Sequence, residues 1–76
     1  MPTLIIDGYK FRFYSNESNE PPHVHVFRNG KRAKVWLDPI VLEYSRRYNE
    51  RELTHILELT HAHRSELLEI WDEHFR

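Results

Sequence analysis

Two of the chain's six histidines, His23 and His25, flank a single valine in a run of β-forming residues. On a strand, alternate side chains share a face, which sets these two imidazoles about 7 Å apart. That spacing suits a general acid and a general base on either side of one reacting group, or two ligands of one metal. A metal needs a third ligand. Glu17, Glu20 and Asp38 are the nearby carboxylates, no spacing singles one out, and Lys34 and Arg12 would repel a cation. The expectation is therefore no metal and no cofactor. With no cysteine in the chain, there is no thiolate nucleophile and no disulfide. The other four histidines, His55, His61, His63 and His74, fall in a helical stretch without a common face. His61 and His63 sit about 200° apart around the axis, so these four read as surface residues.

The elements that position the pair are marked by turns. Asp7-Gly8 lies between Thr3–Ile6 and Tyr9–Tyr14, and Asn29-Gly30 between His23–Arg28 and Lys31–Leu37. Both dipeptides suit a two-residue hairpin turn, whose backbone needs positive φ. Ser15–Pro22 reads as a loop, Asp38-Pro39 as a strand break, and Ile40–Tyr44 is a candidate for a short fifth strand. Asn49 and Glu52 have capping-box spacing. Beyond them the apolar positions Leu53, Ile56, Leu57, Leu67, Leu68, Trp71 and Phe75 follow a helical period, with Thr60 and Arg64 weakening the middle of the stripe. The expected fold is α+β: an antiparallel sheet of two β-hairpins packed on one long C-terminal helix, Glu50–Phe75.

Two-residue turns also fix register, and register sorts side chains by face. Leu4, Ile6, Tyr9, Phe11, Phe13, Val24, Val26, Ala33, Val35 and Leu37 fall on one face, expected to be the core under the helix. Ile5, Lys10, Arg12, Tyr14, His23, His25, Phe27, Arg32, Lys34 and Trp36 fall on the other. An antiparallel sheet can leave one face to water, so this second face is expected to be open. His25 lies opposite Lys34, and His23 opposite Trp36. A base, an acid, cationic stabilisation and a stacking surface are what attack on an RNA phosphodiester requires. His23, His25 and Lys34 are the candidate catalytic residues, with Arg12, Tyr14, Phe27, Arg32 and Trp36 as candidate binding residues. The same aromatic groups would equally suit burial against a partner protein, and the histidines could simply face solvent.

Seventy-six residues imply one domain over 1–76 with a thin core, since a chain this short buries only about 60% of its unfolded surface. Leu4-Ile5-Ile6 is far shorter than the roughly 7–15 apolar residues of a signal peptide or the about 20 of a membrane helix. A cytoplasmic, membrane-free protein is expected. Charge is split along the chain. Residues 1–48 carry eight basic groups against five acids, and residues 49–76 carry three against seven. Anions should approach the sheet, not the helix.

The stretch Pro21-Pro22-His23-Val24-His25-Val26 resembles a small bacterial family, domain-of-unknown-function family 4160. Met1-Pro2-Thr3, Phe11–Glu17, Ala33-Lys34-Val35-Trp36-Leu37 and the terminal helix with Leu67 and Trp71 extend the resemblance over nearly the whole chain. It implies a short bacterial protein that is one half of a two-gene, toxin–antitoxin-like module, and it assigns no catalytic residue. Where members often have glycine before the helix, this chain has Arg47, so the strand-to-helix connection is expected to differ if that position needs positive φ. Together these readings lead to a toxin–antitoxin-like component that engages RNA through the His/Lys/Arg/aromatic face, with metal-independent ribonuclease as the activity such a face could perform. The alternative is a non-enzymatic antitoxin or regulatory module that buries the same face against a small partner protein or a second copy of itself.

Overall fold

Asp7 and Gly8, then Asn29 and Gly30, all adopt the positive φ that tight hairpins require (51°, 82°, 50° and 76°). Around these turns the computed structural model, which describes residues 2–14 and 19–75, builds strands β1 (Thr3–Ile6), β2 (Tyr9–Arg12), β3 (His23–Arg28), β4 (Lys31–Leu37) and β5 (Ile40–Arg46), then helices α1 (Glu50–Ala62) and α2 (Arg64–Phe75). The strands form one antiparallel sheet in the order β1-β2-β3-β4-β5. The α+β class and the register of both glycine hairpins are as the sequence indicates. Ile6 lies opposite Tyr9, His23 opposite Trp36 and His25 opposite Lys34.

Three features differ from expectation. Asp38-Pro39 does not end the sheet but forms the turn of a further hairpin, which places Leu37 opposite Ile40. β5 is accordingly a full strand reaching Arg46, longer than the short segment expected. The single long helix is two. Its path breaks at His63 (φ −111°, ψ 16°), although His63 N–H still donates to Leu59 O and Leu67 N–H to His63 O. No glycine or proline causes the break. The buried Thr60 hydroxyl donates to Ile56 O at 2.7 Å, a back-bond that bends helices. Arg64 is drawn to the β4–β5 turn, donating to Leu37 O at 2.9 Å and Asp38 Oδ1 at 2.8 Å. The two polar residues that interrupt the apolar stripe are thus absorbed.

The inner sheet face supplies the core: Tyr9, Phe11, Phe13, Val24, Val26, Ala33, Val35 and Leu37 are buried, together with Tyr48, Ile56, Leu67 and Trp71. Leu4 and Ile6 pack against this cluster without full burial. The connection into α1 turns at Arg47 with φ 72°, so the left-handed backbone is present although the residue is not glycine. Asn49 then caps α1, with both hydrogen bonds of the capping box formed.

Candidate functional site

Cross-strand partners align the outer face into rows. Nearest the glycine turns runs Ile5, Lys10, Phe27, Arg32 and Arg46; next comes Thr3, Arg12, His25, Lys34 and Tyr44; at the far end lie His23, Trp36 and Val41. The eight site residues expected from sequence include Tyr14, just beyond β2, whose ring meets His25 edge-on with centroids 4.9 Å apart. The other seven stand on these rows.

A bulge decides the composition of the β5 end. Val35 pairs with Leu42 but Lys34 pairs with Tyr44, leaving Glu43 as the extra residue. Unbroken register would set Glu43 beside Lys34 and Ser45 beside Arg32. The bulge instead brings Tyr44 beside Lys34 and Arg46 beside Arg32. Bulges commonly re-aim side chains in this way.

The face is not uniformly open, which corrects the expectation of solvent-facing histidines. His23 is 1% exposed and His25 8%. His23 packs against His25, Trp36 and Trp71, with centroids 5.3, 5.4 and 5.1 Å away, and its Nδ1 lies 2.9 Å from Pro21 O. Lys34 Nζ donates to Glu20 Oε1 at 2.6 Å and lies 4.7 Å from the Trp36 ring centre. The segment before β3 and the far end of α2 therefore cover the His–Trp corner. Two of the three candidate catalytic groups are buried and the third is held in an ion pair.

The opposite end is exposed and basic. Lys10, Arg32 and Arg46 are exposed, and Phe27 between them is half-buried. Arg12 lies 5.8 Å from the Phe27 ring centre and donates to Thr3 Oγ1 at 3.3 Å. No carboxylate among the described residues pairs with Lys10, Arg12, Arg32 or Arg46. Arg32 and Arg46 are direct cross-strand partners, an arrangement that costs stability when nothing anionic lies between them.

A groove of about 820 Å³ wraps this end, and its lining adds Arg28, Lys31 and Arg47 to Lys10, Arg32 and Arg46. Sequence reasoning marked only Arg32 of these as a binding residue. Arg28 opposite Lys31 was readable from the turn register, but Arg46 was hidden by the bulge. Lys31 Nζ bonds Glu52 Oε2 at 2.8 Å, and that bond, with the Asn49 N–H, lowers the Glu52 pKa below the ordinary range. Below the groove, burial, reinforced by Tyr9 and Glu52, pushes the Tyr48 phenol up to about 12.

No three His, Asp or Glu side chains converge as metal ligands among the described residues. Glu20 is engaged with Lys34 and Asp38 with Arg64, and Glu17 lies outside the described residues. No helix among them is long and apolar enough to cross a membrane.

Fold and face together define a small α+β protein whose five-stranded meander is backed by helices and presents cations and aromatic rings on its other side. The chain belongs to the family described as Domain of unknown function (DUF4160), whose model matches residues 8–72. That span includes every row residue from Lys10 to Arg46 and also Trp71. No curated protein and no solved structure matches the chain.

Proposed function

We propose that the protein binds single-stranded RNA on the turn end of its outer sheet face, as a component of a toxin–antitoxin-like two-gene module. The observation that carries the binding reading is the row Lys10, Phe27, Arg32 and Arg46 with Arg12 beside it: cations without carboxylate partners among the described residues, set around a half-buried ring. Single strands are held by this combination, cations on the backbone and bases stacked on aromatic side chains. Placement in a two-gene module rests on the family resemblance alone. The geometry favours binding over cleavage, because His23 and His25 offer a substrate almost no surface.

A protein-interaction role is the second reading. Ile5 (65% exposed) on β1, with Val41 (49%) and Tyr44 (41%) on β5, places apolar surface at both edges of the same face, where a partner protein would gain by covering it.

Charge reversal separates the two. Arg32→Glu and Arg46→Glu should each weaken RNA binding by roughly tenfold and lower the salt slope by about one. Both residues are exposed, so circular dichroism should be unchanged. Val41→Glu, at the far end of the face, should leave RNA binding intact. RNA affinity indifferent to both arginine variants would remove the face as the binding site.

A further inference from the structure

The basic groove differs in kind from the rest of the face. A strand lying across the platform offers one negative charge per nucleotide, yet six cations line this one groove: Lys10, Arg28, Lys31, Arg32, Arg46 and Arg47. Only Lys31 is paired with a carboxylate, Glu52; the other five have no such partner among the described residues. Among the described residues no acidic side chain lines the groove. Arg28 is held by its position over the Tyr9 ring, 4.9 Å from its centre, and its guanidinium also passes Gly8.

Two local conflicts converge here. Arg32 stands directly opposite Arg46, and Arg47 sits at φ 72°, a backbone angle that favours glycine. Conflicts of this kind persist where function needs them. Their common outcome is cationic density at one spot, and a ligand with several charges on adjacent atoms would relieve the repulsion. Phe27 also lines the groove and offers a ring face to a base next to the phosphates.

We infer that this groove is a binding site for a terminal oligophosphate: a triphosphate carried by the 5′ end of an RNA or by a free nucleotide. A triphosphate concentrates several charges over a few atoms, as the clustered guanidinium groups demand, whereas an internal phosphodiester does not. The charge match needs no RNA. Assignment of the phosphates to an RNA end rests on the RNA-binding reading above, and would make the groove the site that anchors the strand's first nucleotide.

The test uses calorimetry with sodium tripolyphosphate and with one short single-stranded RNA in two forms, 5′-triphosphate and 5′-hydroxyl. Tripolyphosphate should bind with one-to-one stoichiometry and raise the melting temperature. The triphosphate RNA should bind roughly tenfold more tightly than the hydroxyl form. The double variant Arg46→Ala/Arg47→Gly should lose both effects. Glycine suits the backbone angle at position 47, so this loss would not reflect misfolding. Arg51→Ala, an exposed cation on α1 outside the groove, should leave tripolyphosphate binding unchanged. RNA bound equally in both forms, with tripolyphosphate unbound, would overturn the groove site and leave RNA binding standing. Tripolyphosphate bound while neither RNA binds would retain the groove for a free oligophosphate and remove the RNA reading.

Discussion

His23 and Arg47 carry the most information at the scale of single residues. The turn register sets His23 on the face expected to be open, away from the core. Its burial against Trp36 and Trp71 reverses that expectation. His23→Ala should cost roughly 2–5 kcal/mol, the range for truncating a large buried side chain to alanine, seen as a lower urea midpoint. Arg47→Gly should act oppositely. A non-glycine residue in left-handed backbone costs of order 1–3 kcal/mol, and glycine's extra freedom when unfolded returns about 0.5–1. A net gain of about 1 kcal/mol is expected in the same denaturation assay, and a loss would contradict the strain at φ 72°. Tyr48 predicts an alkaline limit. Its phenol is pushed up from 10.0 to about 12 chiefly by burial, so the folded state holds the proton more tightly than the unfolded chain does. That contribution is complete below pH 10 and lost as pH rises from there through about 12. The melting temperature should fall over this window. Which residues share a face was legible in sequence, because two glycine turns fix the alternation. Which of them are buried was not. The cover over His23 and His25 comes from Tyr14, Glu20, Pro21 and Trp71, whose placement no strand register determines.

The helix cap and the β5 bulge are the informative features at the scale of elements. Asn49 and Glu52 form both bonds of the capping box, as their spacing indicates. Asn49→Ala should lower stability by about 1 kcal/mol, measured by urea unfolding. The β5 bulge was illegible, since nothing in Val41–Arg46 distinguishes a bulged register from a regular one until the strand is paired. Deleting Glu43 removes the extra residue and leaves every β4–β5 partner the same. The shortened protein should therefore still fold and still bind RNA. A folded deletion variant that has lost RNA binding would show that the pairing had slipped and that Arg46 had left the row. The split of the helix at His63 was equally hidden. One cause, Thr60 bonding back to Ile56 O, lies within the helix, and the other, Arg64 reaching the β4–β5 turn, is tertiary; no glycine or proline marks the break in the local sequence.

For the whole molecule, the basic and the apolar parts of one face compete as explanations. A protein this small, with Ile5, Val41 and Tyr44 exposed, should associate with a second copy or a small partner protein if the interaction reading holds. Particles larger than 9.3 kDa in sedimentation would show it. Val41→Glu should then dissociate them, because it places a charge in the desolvated patch. Trp36→Glu is less informative, since Trp36 also packs against His23 and the substitution would disturb the fold. The RNA reading makes a sharper demand, met most directly by a salt titration of wild-type protein with a labelled single-stranded RNA. If Lys10, Arg12, Arg32 and Arg46 each neutralise one phosphate, the logarithm of affinity should fall against the logarithm of salt with a slope of about −3, or roughly fifty-fold weaker binding between about 50 and 200 mM. No binding at low salt, or binding with a flat slope, would contradict the account.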